Sequence, residues 1–283
     1  MIQRLAVVGI GLLGGSVAKA ARQYGLAREI VGVGRDAARL APALAEGTLD
    51  RATTDVAAGA SGADLVVLAA PVGAIERLLE AVWRAAPDDA LVTDVGSTKR
   101  GIVSAAQRLG AARALQFVGS HPMAGSEQSG YAAARADLFR GATVIVTPTE
   151  ASEPRSVKAV TGLWEALGAG RVLTLDADTH DRAVAAVSHV PHLVACALVD
   201  AVTRLDPAAL DVAARGFKDT TRIAAASPEV WGEIFLANRA ALGAATREFL
   251  RALAELAKLV EAGDAAALHA ALARIKARRE ALS

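Results

Sequence analysis

Six residues near the amino terminus, Gly9-Ile10-Gly11-Leu12-Leu13-Gly14, restrict this chain more than any others. They follow the short apolar run Arg4 to Val8 and precede a helical pattern from Ser16 to Tyr24, which reads as strand, tight turn, helix. In that context a G-x-G-x-x-G spacing has a physical meaning. The first glycine permits the turn, the second lets the backbone approach a pyrophosphate, and the third lets helix and strand pack closely. Amides at the helix start then face phosphate oxygens. The expected cofactor-binding residues are Gly9, Gly11, Leu12, Leu13 and Gly14, joined by Ala70, Pro71 and Val72, which follow another apolar run at Asp64 to Ala69.

Further short apolar runs occur at Glu29 to Val33, Leu91 to Val95, Phe117-Val118-Gly119, Ala142 to Val146 and Arg171 to Leu175, with helical segments between them. Parallel strands need long crossovers, so this alternation predicts a parallel sheet with helices on both faces. The polar stretch at 148–156 reads as a surface loop, because a strand-like run still follows it. After Asp176 the pattern turns to helices alone, including one long helix expected from Trp231 to Val260. A chain of 283 residues exceeds the usual size of one core. The expected fold is therefore α/β: an N-terminal Rossmann-type doubly wound parallel sheet over residues 1–176, then an all-helical C-terminal domain over 177–283.

Composition excludes several partners. The 31 Lys+Arg and 30 Asp+Glu nearly cancel, leaving no electrostatic footprint for nucleic acid or an anionic membrane surface. The single Cys196 rules out an internal disulfide framework or a metal site of several thiolates, and its apolar surroundings suggest packing. The N-terminus lacks the apolar region of a signal peptide, which predicts a cytoplasmic protein. The most apolar long stretch, Ala183 to Val202, is interrupted by Ser188, His189, Pro191 and His192 and reads as a buried helix short of a membrane span.

The second strand ends Val31-Gly32-Val33-Gly34-Arg35-Asp36, where an acidic residue would normally bond the ribose hydroxyl of NAD. Gly34 with Arg35 beside it leaves room and positive charge for a 2′-phosphate, which favours NADP. In the alternative, NAD is bound: Arg35 stacks on adenine and Asp36 bonds the ribose.

The segment Gly119-Ser120-His121-Pro122-Met123-Ala124-Gly125-Ser126-Glu127 resembles the H-P-M-A-G element of the prephenate/arogenate dehydrogenases. Three more elements agree in order: Asp94-Val95-Gly96-Ser97-Thr98-Lys99, Ser188-His189-Val190-Pro191-His192, and Gly216-Phe217-Lys218-Asp219-Thr220-Thr221-Arg222-Ile223-Ala224. The resemblance implies oxidation of the ring hydroxyl of prephenate, arogenate or both. Hydride passes to NAD(P) and the ring carboxylate leaves as carbon dioxide, on the route to tyrosine. Such chemistry needs a group to deprotonate the hydroxyl, which histidine suits, and cations to hold carboxylates.

By the same resemblance His121 and Ser97 are the catalytic residues, with Ser97 orienting His121. Arg222, Lys218, His192, His180, Ser126 and Trp231 bind substrate. Ser126 could serve its own or a neighbouring subunit, and Trp231 could equally be packing in its helix. Lys218 and Arg222 are four apart and share a face if the backbone there is helical. The pair His189 and His192 does not read as a metal site, no metal is expected, and His189 is expected to be buried and bonded to backbone. Arg215, where the family commonly has a small residue, leaves the choice between the two substrates open. The long helices carry more Leu and Ala faces than a small domain can cover, so a homodimer is expected. The short run after them is expected to leave no room for a regulatory domain. A β-hydroxyacid-type dehydrogenase is the rival reading, and it would place a catalytic lysine in a different motif.

Overall fold

The computed structural model describes every residue except Ala114, Glu127 and Ser283. Glu127, the last residue of the segment that carries the H-P-M-A-G element, thus lies outside the described residues. The first strand, β1 (Ile2–Val8), shows why a sheet forms here: Leu5 and Val7 enter one apolar cluster while Ala6 and Val8 enter another on the opposite face. Both faces are buried, so the strand is apolar without alternation, as parallel sheets require. Around it stand β2 (Ala27–Val33), β3 (Arg51–Thr53), β4 (Leu65–Leu68), β5 (Leu91–Asp94) and β6 (Gln116–Phe117), all parallel, in the order β3-β2-β1-β4-β5-β6. The order reverses between β1 and β4, and a crevice at such a switch point is where dinucleotides bind.

Helices α1 (Leu12–Gln23), α2 (Ala37–Ala45), α3 (Val56–Ala60), α4 (Val72–Ala85) and α5 (Arg100–Gly110) make the crossovers. The apolar run at 117–119 proves to be two strands. The chain turns at Val118 out of the large sheet into β7 (Gly119–Pro122), which pairs antiparallel with β8 (Thr143–Thr147), while β8 pairs parallel with β9 (Arg171–Thr174). Between them α6 (Pro154–Ala166) buries Val160, Leu163 and Trp164. The three-stranded sheet lies beside the carboxyl end of β5, where the Ser120 hydroxyl donates to the Asp94 carbonyl at 2.5 Å.

After β9 the chain is helical: α7 (Ala177–Val184), a π-helical turn (Ala185–His189), α8 (Val190–Leu205), α9 (Arg215–Thr221), α10 (Pro228–Ala237), α11 (Arg239–Glu261) and α12 (Ala265–Glu280). Two expectations are corrected. The helix from Trp231 to Val260 is interrupted at Asn238, which leaves helical geometry so that its side-chain amide can reach the Asp181 carbonyl (2.7 Å) and His189 (3.2 Å). The continuous helix Ala177–Leu205 does meet the length and composition of a membrane span: an 18-residue stretch of it has mean hydropathy 1.5, and only 33% of that stretch is buried. Its histidine-bearing face points inward, while Val187 and Leu205 on it stand 70% and 86% exposed. Leu236, Leu250, Leu253 and Val260 are also exposed, so the helical half leaves much apolar surface open to solvent.

Candidate active site

The glycine turn is built by close approach. Gly9 has φ +102°, and a Cβ there would stand 2.3 Å from the Ala69 carbonyl oxygen at the end of β4. A Cβ on Gly14 would stand 1.9 Å from the Gly9 carbonyl oxygen, whereas one on Gly11 would meet nothing within 4 Å. Two glycines are thus required by packing, and the third leaves open space beside the start of α1. No side chain caps that helix, so its first amides remain available to phosphate oxygens. Leu12 and Leu13 open the helix half-buried, and Ala70, Pro71 and Val72 run from β4 into α4 across the same switch point. The set fits a dinucleotide pyrophosphate.

At the end of β2, Gly34 packs on Leu40 and Arg35 is exposed. The Asp36 carboxylate accepts from the Ala38 amide at 2.9 Å and caps α2.

His121 sits on β7, 8% exposed, with its Nδ1 2.9 Å from Nε2 of His180 on α7. His180 Nδ1 in turn lies 2.8 Å from Oδ1 of Asp181. Asp181 also accepts from the amides of Lys99 (2.7 Å) and Arg100 (3.0 Å) at the start of α5. His180 is fully buried, and its two ring nitrogens are engaged by His121 and Asp181. Among the described residues no hydrogen bond joins His121 to Ser97, which is half-buried two positions before Lys99.

Burial pushes the pKa of His121 well below that of a free imidazole, and positive charge at His180, Lys99 and His189 adds to the effect. Burial also lowers His180, against the opposing pull of Asp181. For Asp181 burial acts upward, but hydrogen bonds from His180 and the two amides outweigh it and hold the carboxyl below its usual range. Lys99 is fully buried; its ammonium pairs with Asp94 and donates to the Ser120 carbonyl at 2.8 Å. The sequence assigns no role to Lys99, Asp94, Asp181 or Asn238, although the first two are the ends of the Asp94–Lys99 element.

His192 is buried and stacks on Trp231, ring centroids 3.6 Å apart and planes at 14°; its Nδ1 has no protein partner. His189 is buried as expected, but its partner is the Asn238 side chain and not backbone. Two residues beyond Trp231, Glu233 accepts from the Gly73 amide at 3.3 Å, which ties the helical half to the cofactor loop. Lys218 lies on α9 and Arg222 opens the 3₁₀ turn that follows; both are exposed, as is Ser126, whose hydroxyl accepts from the Gln128 amide at 3.0 Å. Arg215 is 93% exposed and pairs with Asp219 at 3.2 Å. Among the described residues no three His, Cys, Asp or Glu side chains are grouped to hold a metal.

Comparison with known proteins places the chain in one family. Residues 17–173 match the family described as prephenate dehydrogenase, nucleotide-binding domain, and residues 176–274 match prephenate dehydrogenase, dimerization domain. The chain is 34% identical to a prephenate dehydrogenase of Bacillus subtilis (strain 168), over 94% of this chain and 72% of that protein. The crystal structure of prephenate dehydrogenase from A. aeolicus with hydroxyphenyl propionate and NAD+ superposes with a TM-score of 0.92 at 32% identity, covering 100% of this chain and 99% of that one. Synechocystis arogenate dehydrogenase follows with a TM-score of 0.85 at 29% identity, covering 99% and 100%.

Proposed function

Because this chain belongs to the prephenate dehydrogenase family, we propose that it oxidises and decarboxylates prephenate, arogenate or both with NAD(P), yielding 4-hydroxyphenylpyruvate or tyrosine. The observation that carries this reading is His121: a buried imidazole at the carboxyl edge of the sheet, with Nδ1 engaged by His180 and a depressed pKa that keeps it unprotonated at neutral pH. Its Nε2 takes the proton of the ring hydroxyl. A nicotinamide cofactor held at the Gly9–Gly14 turn would supply the hydride acceptor for the carbon that bears this hydroxyl. As the ring carboxylate leaves, its electron pair aromatises the ring, and His121 returns the proton to the phenolic oxygen. Neither step calls for a lysine base, so the β-hydroxyacid-type reading is not favoured.

The other roles follow from placement. Arg222 and Lys218 supply cations for the substrate carboxylates. His192 offers a buried, unpartnered nitrogen beside Trp231, which suits a polar group of the substrate. Ser97 and Ser126 supply hydroxyls at the rim. Residues 1–176 form the dinucleotide domain and 177–283 the substrate and dimerisation domain. The exposed apolar faces of the helical half support a homodimer. Buried histidines with side-chain partners on the apolar helix Ala177–Leu205 support a soluble enzyme over a membrane protein. NADP is favoured, because Arg35 stands exposed beside Gly34 at the end of β2, where it can meet a 2′-phosphate.

The test is a four-way assay of prephenate and arogenate against NAD and NADP, with products identified by chromatography. Turnover with either substrate supports the reading, and a better kcat/KM with NADP supports the role of Arg35. No turnover with any pair, in protein that binds cofactor, overturns it.

A further inference from the structure

The chain of contacts behind His121 fixes more than its orientation. A carboxylate only accepts hydrogen bonds, and a neutral imidazole carries one donor and one acceptor nitrogen. Asp181 faces His180 Nδ1 at 2.8 Å, so that nitrogen carries the proton and Nε2 of His180 is an acceptor. His121 Nδ1, 2.9 Å away, must then donate, which leaves Nε2 of His121 bare.

We propose that Asp181 and His180 are positioning residues: they hold His121 in the tautomer whose Nε2 is the base, and they share the charge it takes up from the substrate. The inference rests on the reading of His121 as the base. The remaining charges around it allow this. Lys99 and Asp94 neutralise each other, and His189 is bonded to Asn238. Among the described residues Asp181 is thus the one buried carboxylate with no Lys or Arg ion pair, held instead by two helix-start amides and His180. Asp181 comes from α7 and His121 from β7, 59 positions before His180, so docking of the helical half on the dinucleotide half completes the base.

The proton balance is closed. The hydroxyl proton moves to His121 Nε2 as the C4 hydride leaves for the nicotinamide and the C4–O bond becomes a carbonyl. The C1–carboxylate bond then breaks, carbon dioxide departs, its electron pair enters the ring, and the phenolate oxygen recovers the proton from Nε2. Between those events the imidazolium is stabilised by its Nδ1–H bond to His180 and, through it, by Asp181.

Asp181→Asn separates this role from packing. Oδ1 of Asp181 faces both His180 Nδ1 and the Lys99 amide, and Oδ2 faces the Arg100 amide. In the variant the amide oxygen still caps α5 through Arg100. The nitrogen, at the Oδ1 place, gives up the Lys99 bond to donate to His180 Nδ1, which reverses the polarity of the chain and puts the proton on His121 Nε2. A comparable carboxylate-to-amide change in a serine-protease triad costs about 10⁴ in turnover. His180→Gln is the control: its amide nitrogen donates to Asp181 and its oxygen accepts from His121 Nδ1, so the tautomer is kept. The readouts are the ¹⁵N shifts of His121 near neutral pH, assigned by their loss in His121→Asn, and the kinetics of all variants.

Wild type and His180→Gln are expected to show a protonated Nδ1 and a bare Nε2. Asp181→Asn is expected to reverse them, lose roughly 10² or more in kcat with little change in KM, and turn over more slowly than His180→Gln. A proton on Nε2 in the wild type overturns the inference. So does Asp181→Asn activity within about threefold of wild type, or a larger loss in His180→Gln. If neither substrate is turned over, the tautomer still decides this inference separately from the proposed reaction.

Discussion

Gly14 packs so tightly on Gly9 that a Cβ on the former would stand 1.9 Å from the carbonyl oxygen of the latter. That contact sets the angle at which α1 leaves β1, while Gly11 between them touches nothing that would block a side chain. Gly14→Ala should therefore destabilise the fold by about 1–3 kcal/mol, since a backbone carbonyl must move. Gly11→Ala should melt like the wild type and weaken cofactor binding by roughly tenfold or more, because its methyl occupies the pyrophosphate's space. Thermal melts and cofactor titrations on the two variants check both halves of this prediction.

The buried pair of Lys99 and Asp94 yields a stability prediction. Each is fully buried, and removing one partner leaves the other uncompensated in a dry interior. Lys99→Met should cost about 3–5 kcal/mol in urea unfolding. A cost under about 1 kcal/mol would mean that water or another cation reaches Asp94.

Acid should unfold the protein through its histidines. Burial holds the pKa of His189 down to about 4, while the unfolded chain protonates near 6.5. Between those values the unfolded state binds the extra proton. The contribution of neutral His189 is thus fully present above about pH 6.5 and is lost as pH falls towards 4, at up to about 1.4 kcal/mol per pH unit. His121, His180 and His192 are shifted in the same direction and steepen the loss. Unfolding free energies from pH 7.5 down to 4.5 should fall, and His189→Gln should flatten the slope.

Local pattern carried most of the architecture. Apolar runs bounded by turn residues mark β1, β2, β4, β5, β8 and β9, and the glycine spacing marks the turn after β1, while β7, which carries His121, is not legible as a strand of its own. The three-residue β3 is too short for a hydrophobic pattern, and the division at Val118 depends on which neighbours β6 and β7 find. Asn238 breaks an otherwise regular apolar period for the sake of His189 and Asp181, partners 49 and 57 positions away. The same limit hid the support of His121: its bond to His180 spans 59 positions and that from Lys99 to Asp181 spans 82. Motif resemblance named the histidine, and only the folded chain supplied the carboxylate behind it.

The most direct test of the account is the turnover of His121→Asn, measured with the better substrate and cofactor pair alongside cofactor affinity. Loss of the base should lower kcat by roughly 10²–10⁴ while the cofactor dissociation constant stays within about twofold. Turnover close to wild type in that variant would contradict the assignment of His121 as the base.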